Sequence, residues 1–377
     1  MCDAPIVTID PLGIPCMLMR GGTSKGAYFL ADDLPTDPVE RDDLILRIVG
    51  SPDPRQIDGI GGANPLTTKV AVVSRNTDRP DVDLDYLFLQ PSVDRPTVSL
   101  DQNCGNLLAG VAQFAIERGL LTVPEHGSEQ ASVRILMLNT GSVATATFPL
   151  SHRTPAYGGD TLISGVPFPA AAVRLDFDDI AGSSCGALLP TGRAADVIGG
   201  VTVTLVDNGM PVVVLPADEL GLRGDESPAE IEGDTGLRER LESIRLQAGP
   251  LMNLGDVTAT TVPKLTIVSP PRAGGALCTR TLIPHRVHEA IGVLGAVSVA
   301  SAALFPGSPA HRVLDPQVAA AAAAGGDLVM TIEHPTGTFD AALTVAHGDD
   351  GPAVTRAGII RTARKLFDGT VYPRTTS

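Results

Sequence analysis

The sequence predicts an α+β protein made of two similar halves, each with many short strands and one buried helix. The 377 residues include 40 glycines and 31 prolines, and such frequent turn residues favour many short strands over a helical bundle. Two apolar segments rich in small residues, 107–112 and 291–304, occupy similar positions in the two halves. Each is typical of a buried helix, and the chain length also suggests about two domains.

The composition narrows the class of protein and its partners. Aromatic residues make up only 3% of the chain and the formal net charge is −15. This charge argues against nucleic acid and against an anionic membrane as partners, and it means that an anionic substrate needs a local basic pocket. Tryptophan is absent, so aliphatic side chains must fill the core.

The cysteines and the N-terminal residues indicate the compartment. The five cysteines are scattered and no CxxC motif occurs, so neither a disulfide framework nor a structural zinc site is predicted. The chain does not open on the basic segment of a signal peptide, and its longest apolar run, 290–305, is too short to span a bilayer. We therefore expect a soluble, cytoplasmic protein.

A glycine-rich loop joins the first two predicted strands. Strand residues 14–19 lead into a loop that carries Thr23, Ser24 and Lys25, and a strand resumes at residue 27. A nucleotide-binding P-loop has four residues between its first Gly and Gly-Lys-Ser/Thr, and a helix after it, so that class is excluded. Glycines, hydroxyls and a cation suit a carboxylate. An anion-binding loop is predicted, with an ordinary turn as the alternative.

Lys69 lies near the start of a predicted apolar strand, 67–73. Before it, Asp37 and Pro38 begin a surface helix that ends at Gly50. The loop that follows lacks the GxGxxG spacing of a dinucleotide-binding fold. A lysine at a strand end is usually a rim residue with its head in water. If it faces a pocket instead, it becomes a candidate general base.

Cys104 lies where a strand or loop ends and a buried helix begins. The sequence there is Asp101-Gln102-Asn103-Cys104-Gly105-Asn106, followed by an apolar run. Asn103 is the predicted N-cap. The first N–H groups of a helix have no partner inside it, so they bind anions and favour a thiolate, and Gly105 lets a ligand approach the backbone. The stretch predicts a bound carboxylate beside a cysteine that exchanges a proton.

The middle of the chain is predicted to be mainly strands, continuing to about residue 180. Cys185 lies in a glycine-bearing loop with no helix after it, so we interpret it as structural. An amphipathic helix is predicted over 234–249 and a strand containing Lys264 over 262–268. The alanine-rich segment 317–326 is predicted as a surface helix or a linker.

A basic cluster precedes the second buried helix. It contains Arg280, His285, Arg286 and His288. Two histidines three residues apart can bind a metal, but no third ligand of the usual kind is near, so carboxylate recognition is the better interpretation. The second helix has no cysteine, and Ser298 is its nearest polar side chain.

The chain resembles the methylaconitate isomerase family of the diaminopimelate epimerase-like fold. The resemblance is carried by residues 20–26, 103–106, 207–211 and 253–257, and it extends from about residue 14 to 371. Within that family, the chain is similar to the 4-oxalomesaconate tautomerases, also described as Δ-isomerases. That group acts in the bacterial breakdown of the aromatic compounds gallate and protocatechuate.

The resemblance implies two pseudo-symmetric domains, each a curved, β-barrel-like sheet around a central helix, with the site in the cleft between them. The expected domains are 1–185, completed by 356–377, and 186–355. No metal, flavin or pyridoxal cofactor is implied, and a homodimer is expected. The family's catalytic lysine matches Lys69 and its catalytic cysteine matches Cys104. Gly295 occupies the place of the second cysteine of two-cysteine epimerases, which disfavours racemisation.

The implied reaction is a keto/enol or allylic isomerisation of a small tricarboxylate. An isomerase of the same family acting on 2-methylaconitate or aconitate is the alternative. A non-catalytic or phenazine-biosynthesis-like protein of this fold is disfavoured because both Lys69 and Cys104 are present. The candidate substrate contacts are Thr23, Ser24, Lys25, Asn103, Gly105, Asn106, Arg280, His285, Arg286 and Ser298.

Overall fold

The computed structural model describes residues 13–100, 103–123, 129–348 and 351–375. Asp101 and Gln102 of the cysteine motif lie outside the described residues, as does Cys2. The chain divides into two compact units. Unit 1 contains the described residues up to 162, with 168–173 and 361–375, and unit 2 contains 163–167 and 174–360. No helix in the described part of the chain is long and apolar enough to cross a membrane.

Unit 1 is built from strands with two long helices between them. Its elements are β1 (Ile14–Gly21), β2 (Ser24–Leu30), α1 (Pro38–Val49), β3 (Lys69–Arg75), β4 (Leu84–Pro91), β5 (Val98–Ser99), α2 (Gly105–Glu117), β6 (Gln130–Met137), β7 (Ser142–Ser151), β8 (Thr154–Pro155) and the start of β9 (Ala172–Phe177). A short 3-10 helix, Ala31–Asp33, follows β2.

Unit 2 continues with strands and five helices in its described residues. Its elements are β10 (Asp196–Ile198), β11 (Val201–Asp207), β12 (Pro211–Pro216), α3 (Pro228–Gly233), α4 (Thr235–Leu251), β13 (Lys264–Ser269), β14 (Leu277–Leu282), α5 (Val293–Ala302), α6 (Pro309–Val313), α7 (Pro316–Ala324), β15 (Gly326–His334), β16 (Gly337–Gly348) and β17 (Gly351–Val371), whose end belongs to unit 1. Another 3-10 helix, Asp218–Leu220, follows β12.

Eight strands close into a barrel. β1 pairs with β2, β2 with β3, β3 with β4, β4 with β6 and β6 with β7. β9 pairs with both β7 and β17, and β17 pairs with β1. Helix α2 contacts β1, β2, β3 and β4, and its residues from Leu107 to Ala115 are all buried. A helix that is apolar all round must be enclosed in this way, so the predicted central helix is confirmed.

The strand order of unit 2 repeats that of unit 1. From β11 to β16, successive pairs are antiparallel, parallel, antiparallel, parallel and antiparallel. The pairs from β1 to β7, with β5 left out, alternate identically. Along the chain, helix α5 comes between β14 and β15, just as α2 comes between β4 and β6. The two similar halves predicted from the sequence are therefore confirmed.

The ends of α1 confirm the predicted boundaries, whereas the predicted N-cap of α2 was wrong. Asp37 accepts hydrogen bonds from the N–H groups of Val39 and Glu40, and Gly50 ends α1 at φ +82°, as predicted. The N-cap of α2 is Cys104 rather than Asn103. The side-chain amide of Asn103 donates instead to Thr140 Oγ1 at 2.5 Å, so this side chain does not cap the helix.

Other sequence predictions needed correction in irregular regions. The sequence predicts mainly strands up to about residue 180, but residues 156–171 are largely irregular. The short helices α3 and α6 were not predicted at all. Both begin with a serine cap followed by proline, which is a recognisable start signal. The alanine-rich segment forms helix α7.

Alternation along β3 and β13 determines what their first residues face. Val70 and Val72 pack in the core that includes Ile45 of α1, and Leu265 and Ile267 pack in the core that includes residues of α4. Successive strand residues point to opposite faces. The first residue of each strand therefore lies on the other face, the one toward the central helix of its unit.

Arg245 is expected to be essential for the stability of unit 2. It is fully buried on α4, forms a two-point ion pair with Glu242, and donates to the carbonyls of Val257, Thr260 and Val262. Removing it leaves these acceptors without a partner, so Arg245→Met should cost about 3–5 kcal/mol. Thermal unfolding followed by circular dichroism measures the loss.

The matched control for Arg245 is Arg223, whose side chain is 67% exposed and pairs with Asp225. An exposed ion pair contributes about 0–1 kcal/mol, so Arg223→Met should unfold close to the wild-type temperature. Equal melting temperatures for the two variants would contradict the structural role given to Arg245.

Candidate active site

Lys69 is held at the end of β3 by one neutral hydrogen-bond partner and an aromatic ring. Its side chain is buried, with the residue 8% exposed. Nζ donates to Gln90 Oε1 at 2.6 Å and lies 4.9 Å from the centre of the Phe88 ring. Gln90 is itself fixed, because its Nε2 donates to the carbonyl of Thr68 at 2.9 Å. Gln90 thus orients the amine through a neutral hydrogen bond.

Cys104 is connected to the same face of β4. Tyr86 donates its hydroxyl to the carbonyl of Cys104 at 3.3 Å, and burial raises the pKa of Tyr86 well above its usual value, so it stays a neutral donor. Tyr86, Phe88 and Gln90 alternate along β4 and therefore share one face. The neighbours of Lys69 and of Cys104 are consecutive side chains on that face.

Gly26 shows that Lys69 and the first turn of α2 meet at one end of the barrel. It pairs with Lys69 between the parallel strands β2 and β3. A Cβ atom at Gly26 would lie 2.5 Å from the carbonyl oxygen of Lys69 and 2.8 Å from the side chain of Leu107. The start of β3 and the first turn of α2 therefore both lie against Gly26, and only glycine leaves room for both.

The predicted anion-binding loop lies on the first turn of α2. Asn106 Nδ2 donates to Thr23 Oγ1 at 3.1 Å and to Ser24 Oγ at 3.3 Å. Gly22 has φ +51°, and a Cβ atom there would lie 2.1 Å from Asn106 Oδ1. The loop needs glycine at this position for both reasons. The structure therefore brings Thr23, Ser24 and Asn106 together. Lys25 is half-buried and alternates with Ala27 and Phe29 of the core that includes Ile45, so it lies on the face of β2 away from α2.

Some polar atoms around Cys104 have no hydrogen-bond partner within the described part of the chain. Asn103 Oδ1 and Asn106 Oδ1 are buried and have no hydrogen-bond partner there. Such atoms are uncommon in folded proteins. The first N–H groups of α2, beginning at Gly105, also have no acceptor inside the helix. Donors and acceptors for a polar ligand are therefore concentrated beside the thiol.

The site residues predicted in unit 2 are placed differently. Arg280 pairs with Ile267 across the sheet and so lies on the face away from α5, where its Nε donates to the carbonyl of Glu226 at 2.6 Å. His285 is exposed, 3.8 Å from Glu242. Arg286 is 84% exposed and contacts Glu232. The structure does not bring these three side chains to the start of α5.

Ser298 is buried inside unit 2 with its hydroxyl fully used. Its Oγ donates to the carbonyl of Met210 at 2.7 Å and accepts the N–H of Asn208 at 3.0 Å. These bonds fix the turn between β11 and β12 onto α5. Its observed contacts are those of a residue that positions the backbone.

Sequence reasoning missed the partners of the candidate residues. Gln90, Tyr86 and Thr140 hold Lys69, Cys104 and Asn103 in place. The pairing of β3 with β4 shows that Gln90 lies beside Lys69. The sequence of either strand alone does not determine this register. A cavity of about 550 Å³ opens beside Gln90, lined by Pro54, Ala63, Pro65, Gln90, Pro91, Ser92, Val93, Asp94, Arg95, Thr97 and Ser99.

The described residues contain no group of three His, Cys, Asp or Glu side chains arranged to hold a metal ion. Near the first turn of α2 the described groups include an amine, a thiol, hydroxyls and amides. These groups can transfer protons and bind carboxylates.

A model of the PrpF protein family matches residues 12–374. The chain belongs to this family. Among proteins of assigned name, the chain is 54% identical over 358 residues to the (4E)-oxalomesaconate Delta-isomerase of Novosphingobium sp. strain KA1, covering 95% of this chain and 97% of the relative. It is 52% identical to the 4-oxalomesaconate tautomerase of Pseudomonas putida, covering 95% of each chain.

A solved structure also resembles this PrpF family member. The crystal structure of a methylitaconate-delta-isomerase superposes with a TM-score of 0.84 at 33% identity, covering 97% of this chain and 96% of that one. The family resemblance and the predicted α+β fold are therefore confirmed. The named relatives are isomerases, which supports an isomerase as the enzyme class of this chain.

Proposed function

We propose that the protein is a cofactor-independent isomerase that moves a proton and a double bond in 4-oxalomesaconate, with Lys69 and Cys104 transferring the proton. The names of the relatives at 54% and 52% identity support this substrate. The observation that carries the proposal is the arrangement of Lys69 and Cys104 around consecutive residues of one β4 face. The proposed setting is the bacterial catabolism of gallate and protocatechuate.

The chemistry follows from the substrate's functional groups. A C–H bond flanked by a carbonyl or carboxylate and by a C=C bond is acidic, because its loss gives a delocalised dienolate. One group removes this proton, and another returns a proton to the carbon at the far end of the conjugated system. The double bond shifts by one position, no atom is gained or lost, and no oxidant is needed.

The first turn of α2 and the adjoining loop would bind the charges of the substrate. Helix N–H groups at Gly105 and Asn106 favour an anion, and they become more valuable as the dienolate develops its additional negative charge. Thr23 and Ser24 supply hydroxyl donors for carboxylates. These roles use groups that lie at one end of unit 1.

Our assignment makes Lys69 the base and Cys104 the acid, with the reverse assignment as the alternative. Gln90 supports this order because it binds the lysine amine without contributing a charge. A carboxylate in the same place would hold the ammonium in an ion pair. The amine can release its proton and accept another while keeping the same neutral partner.

A proton NMR assay in D2O tests the function. The expected result is conversion of 4-oxalomesaconate with position-specific uptake of deuterium and a shifted alkene, or uptake without a shift if the product is the enol. The same enzyme should turn over 2-methylaconitate at least 100-fold less efficiently. Turnover of 2-methylaconitate alone would retain the reaction class and overturn the substrate.

Gln90→Glu is expected to make the enzyme work only at higher pH. The new carboxylate would form an ion pair with the Lys69 ammonium, so a higher pH is needed to generate the free amine that acts as base. The rising limb of the kcat/KM profile should move upward by about one pH unit or more. Gln90→Met, which removes the hydrogen bond without adding charge, is the control. An unmoved limb in the glutamate variant would argue against a basic role for Lys69.

A further inference from the structure

The glycine-rich loop before β3, residues 57–63, closes around one buried glutamine. Gln56 is 1% exposed, although Arg55 and Ile57 on either side of it are exposed. The backbone of Gln56 has φ +46°, in the left-handed region that a residue with a side chain rarely adopts. Such strain persists only where the surrounding structure holds it, and it is concentrated at functional sites. None of the proposed roles in the reaction uses this loop.

The side chain of Gln56 holds the two ends of the loop together. Its Oε1 accepts the N–H of Ala63 at 2.8 Å and the hydroxyl of Thr68 at 2.6 Å. A backbone N–H can only donate, so the atom that meets it is the amide oxygen. A Cβ atom at Gly61 would lie 2.3 Å from this oxygen, so glycine at this position leaves the amide its space. The loop therefore closes on the amide and leaves its oxygen in contact with Thr68.

The nitrogen of the same amide is connected to the end of β4. Gln56 Nε2 donates to Ser51 Oγ at 3.1 Å, and the hydroxyl of Ser51 donates to the carbonyl of Ser92 at 2.6 Å. Ser92 comes directly after Pro91, the last residue of β4. Gln56 therefore connects the segment that leads into β3 to the segment that leaves β4.

Thr68 connects Gln56 to Lys69. Because Thr68 is buried, Gln56 Oε1 is the acceptor that satisfies its hydroxyl. Thr68 directly precedes Lys69 in the chain, and its carbonyl accepts Gln90 Nε2 at 2.9 Å. Gln90 Oε1 in turn accepts the Lys69 amine at 2.6 Å. The contacts thus run from Gln56 to the amine through Thr68 and Gln90.

We propose that Gln56 is a positioning residue for Lys69 that acts through Thr68 and Gln90. This inference rests on the proposed role of Lys69 in proton transfer. A group that removes a proton must be held in a narrow range of distance and direction from the C–H bond, whereas the lysine side chain is a flexible stem. Gln56 limits the movement of Thr68, the carbonyl of Thr68 fixes Gln90, and Gln90 fixes the amine. Gln56 itself contacts no reacting atom.

Thr68→Val removes one hydroxyl from these contacts and keeps the shape of the side chain. The expected result is a loss of about tenfold in kcat toward 4-oxalomesaconate, because a misplaced reacting group slows the chemical step. KM should change by less than about twofold, since the groups that bind the substrate stay in place. Gln56→Met removes the whole amide and should lower kcat by about tenfold to 100-fold. Steady-state kinetics measure both variants.

The matched control is Thr67→Val, the same chemical change one residue earlier. The hydroxyl of Thr67 donates to the carbonyl of Gly62 at 2.9 Å, so it belongs to the same loop, but its hydrogen bonds do not involve Gln56 or Gln90. This variant should keep the wild-type kcat. Equal kcat values in Thr68→Val and Thr67→Val would overturn the proposal.

A double-mutant cycle distinguishes positioning from a general effect on folding. If Gln56 acts through Gln90, Gln56→Met should lower kcat by no more than about twofold in a Gln90→Met background. Losses that multiply would show that Gln56 acts independently of Gln90, which would overturn the proposed route. If Gln56→Met does not fold, Thr68→Val in the same two backgrounds gives the test, because it removes a single hydroxyl.

An NMR measurement tests the positioning without turnover. The lysines of the chain are Lys25, Lys69, Lys264 and Lys365. Lysine labelled with ¹³C at Cε therefore gives few signals, and Lys69→Met assigns the one of interest. The Lys69 amine lies 4.9 Å from the centre of the Phe88 ring, so the ring current makes this signal sensitive to the position of the side chain. The signal should move in Thr68→Val and stay in Thr67→Val. A signal that stays in both would overturn the positioning.

The two proposals fail separately. A Lys69 signal that moves in Thr68→Val, without any turnover of 4-oxalomesaconate by the wild type, would remove the proposed reaction and leave the positioning of the amine. Turnover by the wild type, with Thr68→Val as active as Thr67→Val, would leave the reaction and remove Gln56 from it.

Discussion

A Lys69→Met variant is expected to lose about 10²–10⁴-fold in kcat toward 4-oxalomesaconate, the usual contribution of a general acid or base. Methionine fills nearly the same volume beside the Phe88 ring and removes only the titrating amine. The variant should therefore fold normally and bind substrate, with KM changed much less than kcat. Steady-state kinetics with a circular dichroism spectrum measure both properties.

Two further variants separate proton transfer from charge. Lys69→Arg keeps a cation but cannot release a proton near neutral pH, so it should be as inactive as Lys69→Met. Arg75→Gln removes an exposed cation from the other end of β3 and should keep wild-type kcat. Recovery of activity in Lys69→Arg would show that the lysine acts only by its charge.

The candidate site was predictable where its signals are local. The apolar run that follows Cys104 marks helix α2, and glycines mark the loop of Thr23 and Ser24. Each signal is set within a few residues by capping, turn conformation and burial, so the sequence alone carries it.

The remaining features depend on the pairing of distant strands. Arg280 and His288 are close in sequence, yet the register of β13 with β14 puts Arg280 on the face away from α5 and His288 on the face toward it. A shift of one residue exchanges the two faces of a strand, and no local pattern around Arg280 determines that register.

Cys104→Ala is expected to stop isomerisation while leaving part of the reaction intact. If Lys69 is the base, it still removes the substrate proton in the variant and exchanges it with solvent. Deuterium should therefore enter one position of 4-oxalomesaconate in D2O, with the alkene shift slowed by about 10²–10⁴-fold. Lys69→Met should show neither exchange nor shift. If exchange disappears in Cys104→Ala and survives in Lys69→Met, the roles are reversed.

Cys185→Ala is the matched control for the cysteine experiment. Cys185 is also buried, but burial and the neighbouring Asp207 raise its pKa to about 12, so its thiol stays protonated at neutral pH and cannot act as a nucleophile there. This variant should isomerise 4-oxalomesaconate at the wild-type rate. Iodoacetamide should inactivate wild type and Cys185→Ala alike, and excess substrate should protect both. The reason is that the proposed catalytic thiol, Cys104, lies at the first turn of α2. Inactivation that substrate does not slow would place the alkylated thiol outside the substrate site.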